Sequence, residues 1–103
     1  MGDALGDIVK ISTDLLHDFT KAIIHSQKPI FALTEGKAIG FGFTQLMLYD
    51  RVFAVEGGEF SAPLLLSAQG PEMCCSFTFP KKFGQSLGEH LIVSGERVDA
   101  AFL

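Results

Sequence analysis

Near the start of the chain, apolar residues recur at steps of three and four: Leu5, Ile8, Val9, Leu15, Leu16, Phe19 and Ile23. That period lays them along one face of a helix running to about Ser26, and a face of this kind predicts packing on a sheet. Lys28-Pro29 ends the helix, because the residue before a proline disfavours helical angles. Ile30 to Thr34 then reads as a short buried strand. The run KPIFALTEGKAIGFGF, Lys28 to Phe43, carries that strand into a glycine-rich turn, Gly36, Gly40 and Gly42, at the start of a helix. Such a turn presents backbone N-H groups to an anion.

Further along, Phe43 to Tyr49 continues as a helix, and Arg51 to Val55 and Glu59 to Ser61 read as strands around the Gly57-Gly58 turn. Gly84 to Val93 suits another helix that Gly95 ends, and Asp99 is placed to cap one more at Ala100. Helices and strands alternate, so the expected class is α/β. No internal repeat, low-complexity tract or linker divides residues 1–103, so they read as a single domain at most.

Composition changes this picture in one respect. Hydrophobic residues make up 48% of the 103, and the mean hydropathy is +0.33. The longest apolar runs are too short to cross a bilayer, so no membrane span is expected. The excess apolar surface points to a partner chain, a second copy, or a missing part of a larger fold. The net charge of −4 offers no basic stripe for a phosphate backbone, which argues against nucleic acid. Cys74 and Cys75 are adjacent and the only cysteines, so neither a disulfide framework nor a zinc site is expected, and a reducing intracellular compartment is the simple reading. The opening MGDALGD has no signal-like apolar core, and the closing AFL is not the peroxisomal tripeptide SKL. His17, His25 and His90 are scattered, without a second ligand at metal spacing.

Candidate chemistry concentrates in FSAPLLLSAQGPEMCCSFTFP, Phe60 to Pro80, where Glu72 stands between a proline turn and an aromatic-rich segment. From the residues alone, the glycine segment reads first as an ordinary turn and helix start, and Glu72 as a solvated first-turn glutamate. The ordered combination is more specific. K-P-I-F-A-x-x-x-G-x-A-x-G-x-G, then Asp50, F-x-x-P at Phe60 to Pro63, and G-P-E-x-C-x-S-F-T-F-P closely resemble the crotonase (enoyl-CoA hydratase/isomerase) superfamily. Within it, Gln69 to Glu72 with Ser76 to Pro80 is similar to GQSPEGCSSYTFP of the enoyl-CoA delta isomerase and chromodomain Y-like branch. Ser94 to Ala100 is similar to that family's SGRKLTA. The match covers roughly residues 15–103.

The resemblance implies a partial crotonase-like spiral of ββα units, lacking the family's N-terminal and C-terminal portions. It implies an acyl-CoA thioester as substrate, with no other cofactor. The thioester carbonyl would accept two backbone N-H bonds as the enolate forms, worth about 3 kcal/mol each. The Phe41 N-H, between Gly40 and Gly42, matches one donor, the two glycines allowing tight backbone angles. Thr44 stands where hydratases of the family carry a glutamate, which disfavours hydration. Glu72 matches the isomerase carboxylate that shuttles a proton from C2 to C4 of a 3-enoyl chain. Burial against Phe77 and Phe79 would raise its pKa, and a helix N-terminus would oppose that shift. Pro71 precedes it, and Phe41, Phe43, Phe77 and Phe79 are candidates for an acyl tunnel, although aromatic residues in such runs are usually core. Lys81 and Lys82 read as a solvated face beside a possible phosphate contact. Cys74 and Cys75 read as packing residues.

Two departures stand out: Glu35 replaces the usual asparagine before Gly36, and Met73 replaces the usual glycine after Glu72, where a larger side chain would obstruct the thioester. A homotrimer or larger assembly and a peroxisomal or mitochondrial address are implied by the family only. Two functional classes follow: an enoyl-CoA delta isomerase-like enzyme of fatty-acid β-oxidation, or a catalytically inactive structural subunit or protein-binding module.

Overall fold

The computed structural model describes residues 2–102, which form a mixed helix and strand fold. Helix α1 spans Gly2–Ile24, with Lys10 and Asp14 paired one turn apart at 3.7 Å. It ends where the His25 and Ser26 N-H groups close onto Lys21 and Ile23, and the Ser26 hydroxyl then donates to the Lys28 carbonyl ahead of Pro29. The expected packing of this helix on a sheet is not what forms. Leu16, Thr20 and Ile23, near its C-terminal end, turn inward, whereas Leu5, Ile8, Val9 and Leu15 remain exposed.

Strand β1, Phe31–Thr34, pairs in parallel with β3, Arg51–Ala54, from Phe31 opposite Arg51 to Thr34 opposite Ala54. Two bonds pin the entry to this pair: the Ile30 N-H donates to Asp50 Oδ2 at 2.8 Å, and the Asp50 N-H donates to the Ile30 carbonyl at 2.9 Å. Asp50→Ala is expected to remove the first bond and lower stability by about 1 kcal/mol, read as an earlier denaturant midpoint, while Asp50→Asn retains most of it. The strand was expected to be buried, but only alternate residues turn inward, and Leu33 is 83% exposed. Paired to a single neighbour, this sheet has one face on the core and one open.

A second sheet, unanticipated in part, follows. Gly36, at a φ of 81°, reverses the chain into β2, Lys37–Ile39, inside the segment that reads as a continuous glycine turn. β2 pairs in parallel with β4, Glu59–Ser61, and β4 pairs antiparallel with β5, Val98–Asp99. The Gly57-Gly58 turn thus links strands of two different sheets and makes no hairpin. The Asp99 carboxylate accepts the Phe102 N-H at 2.9 Å, but it closes a turn over residues 100–102 and not the helix expected from Ala100, and Asp99 itself belongs to β5.

The helical part begins earlier than expected. Helix α2 covers Phe41–Thr44 and tightens into a 3-10 turn over Gln45–Leu48. Helix α3, Cys75–Phe83, continues through Pro80, whose missing N-H leaves the carbonyl of exposed Ser76 to water. Helix α4, Gln85–Ser94, ends at Gly95 in the left-handed conformation. The core sits where these helices meet β4. Phe43 is fully buried, its ring centroid 5.5 Å from Phe60 and 5.0 Å from Phe79, with Leu46, Leu64, Leu91 and Ile92 around them.

Candidate functional site

The glycine turn is built by β2 running into α2. Gly40 has φ 63° and ψ −122°, angles that only glycine takes without strain, and its N-H donates to the Ser61 carbonyl of β4 at 2.8 Å. The Phe43 and Thr44 N-H groups both donate to the Gly40 carbonyl at 2.9 Å. Those of Phe41 and Gly42 have no acceptor among the described residues. They are the free donors that a first helical turn leaves over. Gly42 differs from the expectation: its φ is not positive, and an added Cβ would rest 3.7 Å from that of Ala38, so no tight angle demands glycine there.

Glu72 lies in the loop before α3. Its carbonyl accepts the Cys75 N-H at 2.9 Å, while its carboxyl is half-buried and raised above the usual glutamate range by that burial. The expected surroundings are only partly present. Phe79 is fully buried in the core and Phe77 is 66% exposed, with the Lys81 ammonium 5.6 Å from its ring centroid. Burial also pushes the Cys75 thiol up, and the negative charge of Glu72 acts in the same direction. That coupling places the carboxylate near a thiol too basic to act as a nucleophile at neutral pH.

Met73 and Cys74 both adopt left-handed angles, with φ of 52° and 60°. For residues with side chains this costs of order 1–3 kcal/mol each. It gives a physical reason for a glycine at this position in the family pattern. Here the Met73 side chain, 3% exposed, turns onto α1, its sulfur 2.8 Å from Thr20 Oγ1. The obstruction expected from a larger side chain is therefore directed into the α1 contact. The preceding helix residue, Phe19, stacks on Phe41 with centroids 5.7 Å apart. Two consecutive residues of α1 thus touch the glycine turn and the Glu72 loop; the sequence pattern places Phe19 on the apolar stripe without a role at the site, and gives no sign of Thr20.

The other candidates fall apart by environment. Phe43 is packed in the core, and Thr44 is buried beside it with its hydroxyl 3.4 Å from the Phe41 carbonyl. Pro71 is exposed. A cleft of about 440 Å³ lies away from these groups, lined by Leu46, Tyr49, Arg51 and Lys82 among others. A hollow of about 290 Å³ lined by Thr20, Ile24 and Cys74 reaches the Glu72 loop at Cys74, and neither Glu72 nor Phe41 lines it. Among the described residues, no cluster of three or more His, Cys, Asp or Glu is arranged for a metal, and no helix is long and apolar enough to cross a membrane.

A parallel-strand core with a glycine turn opening a helix and a carboxylate before the next one defines a crotonase-type fold. The fold matches that of an enoyl-CoA hydratase/isomerase from Cupriavidus metallidurans with a TM-score of 0.83, at 22% identity, over 93% of this chain and 36% of that one. In sequence as in fold the chain is similar to proteins of the crotonase superfamily. More particularly, it is similar to the peroxisomal enoyl-CoA delta isomerase 3 of Mus musculus, 34% identical over 94 residues, 91% of this chain. It is also similar to the testis-specific chromodomain protein Y 1 of Homo sapiens, 34% identical over 87 residues, 84% of this chain. The chain spans 30% of the length of the first relative and 16% of the second. No family model matches it.

Proposed function

We propose that this chain carries the enolate-forming segment of an enoyl-CoA delta isomerase, converting a 3-enoyl-CoA to its 2-enoyl isomer. The observation that supports it best is the joining of two features by α1: a carboxyl with a raised pKa at Glu72, and an unpartnered N-H at Phe41. The Glu72 carboxylate takes a proton from C2, and the electron pair moves into the thioester carbonyl as the enolate forms. The Phe41 N-H donates to that oxygen, where a preorganised donor lowers the barrier most. Electrons then return through C2 to C3, the C3–C4 double bond shifts, and C4 takes the proton from Glu72. No water is consumed, in keeping with Thr44 at the position of the second carboxylate in hydratases. Gly40 and Gly42 leave the approach to the donor open, and Pro71, next to the base in the chain, and the exposed Phe77 are assigned to contact with the substrate.

The test is the appearance of the conjugated 2-enoyl thioester when the purified chain is given a 3-enoyl-CoA. No turnover by folded protein that still binds the thioester overturns the catalytic reading. The pH profile is a second expected result. Because burial raises the Glu72 pKa, the active carboxylate is lost on acidification at a higher pH than for an exposed glutamate, whose value is about 4.3. The acidic limb of kcat/KM should therefore lie above that value, and a limb at or below it would remove Glu72 as the base.

A further inference from the structure

We propose that Met73 and Thr20 are positioning residues for Glu72: the methionine side chain fastens the base to α1, and the threonine hydroxyl holds the methionine sulfur. In the isomerase reading, on which this rests, one carboxylate serves both C2 and C4, so its place has to be fixed relative to each. The chain ahead of Glu72 does not fix it. Residues 65–71 are all exposed, and Gly70 and Pro71 make no backbone hydrogen bond among the described residues. Met73 is the first buried residue after Leu64, each of them 3% exposed. Glu72 therefore takes its position from the Met73 side, where its own carbonyl is also held by the Cys75 N-H.

The backbone points the same way. Met73 and Cys74 are both left-handed, and a residue with a side chain stays in that region only where its surroundings over-determine it. Glycine would take these angles without strain, whereas methionine adds a side chain that reaches α1. There the hydroxyl of buried Thr20 donates to the Leu16 carbonyl at 2.8 Å and lies at the same distance from the Met73 sulfur, so its one proton serves two acceptors. Phe19, the residue before it, packs on Phe41. One turn of α1 thus sets the base against the Phe41 N-H. The titratable groups of the flanking elements are His17, Lys21 and His25 of α1, around the hollow at Cys74, and Cys75, Lys81 and Lys82 of α3. Burial, and none of these charges, raises the Glu72 pKa, so its titration reports how firmly the loop is held against the protein.

Carbon-13 NMR titration of the Glu72 carboxyl in the full chain, assigned by its loss in Glu72→Gln, tests the proposal beside kinetics on a 3-enoyl-CoA. Met73→Gly and Thr20→Val should each move the Glu72 pKa down toward the exposed value of about 4.3. Each should also lower kcat by up to about a hundredfold with KM unchanged, the effect of a misplaced base. Thr20→Ser, which keeps the hydroxyl, should hold both quantities near wild type. A Glu72 pKa that stays raised in folded Thr20→Val, or a Thr20→Ser chain as impaired as Thr20→Val, would overturn it, and this pair decides the matter where Met73→Gly does not fold. Absence of turnover in the wild type would overturn the isomerase reading alone, since the titration still reads the hold on Glu72.

Discussion

Glu72→Gln is expected to lower conversion of a 3-enoyl-CoA by about a hundred- to ten-thousand-fold, the range that a positioned general base contributes. Glutamine keeps the shape and a hydrogen-bonding carbonyl, yet it cannot carry a proton from C2 to C4. The loss should fall in kcat with KM nearly unchanged, since the exchange removes a transition-state role and not a ground-state contact. Nor can it be ascribed to unfolding. Burial raises the folded-state pKa of Glu72, so the native protein binds the proton more tightly than the unfolded chain does. The carboxylate is therefore neutral in its effect below the unfolded value and becomes destabilising as pH rises through the folded one. At pH 7 the glutamine variant should be at least as stable as the wild type, and the two should converge in acid. Retention of more than a tenth of the wild-type kcat would remove Glu72 from the proton shuttle.

The second set of contacts on which this site depends was hard to read in the chain. Glu72 and the Gly40-Phe41-Gly42 turn were legible through the ordered family pattern, and Gly40 through its positive φ as well. The link between them was not, because a threonine within an apolar stripe gives no sign that it will meet a methionine 53 residues on. Local pattern served α1, α4 and the strands at Arg51 and Glu59 well, since each has a clear period or a glycine stop. It failed for β2, whose three residues between Gly36 and Gly40 are too few to show alternation. It also left α3 undescribed, because Pro80 reads as a stop, whereas the exposed position of Ser76 lets water satisfy the carbonyl that Pro80 leaves without a donor. Burial was the least legible property of all. Leu33 and Phe53 look like core residues, yet both are more than half exposed, because their sheet has only two strands. A hydrophobic pattern records which face seeks cover, and only the tertiary arrangement decides whether cover is present.

Gly88 carries the largest expected effect on stability. An alanine Cβ there would lie 2.6 Å from the Phe79 carbonyl carbon and oxygen and 2.6 Å from the Pro80 nitrogen. These are backbone atoms, so no rotamer change relieves the overlap, and α3 would have to move away from α4. In an exposed helix the same exchange would stabilise by about 1 kcal/mol. Here the overlap should reverse the sign and cost about 3 kcal/mol or more, because Phe79, packed on Phe43, cannot shift without opening the core. The same movement would displace the start of α3, where the Cys75 N-H closes onto Glu72, so activity should fall along with stability. Gly6→Ala provides the contrast. Gly6 lies in α1 with nothing within 4 Å of an added Cβ, and this exchange should raise helix content without lowering the urea midpoint. Equal midpoints for the Gly88→Ala and wild-type chains would show that α3 and α4 are not held at backbone contact. A large drop at Gly88 beside none at Gly6 would show that their close approach is what holds Phe79 in the core and Glu72 at the start of α3.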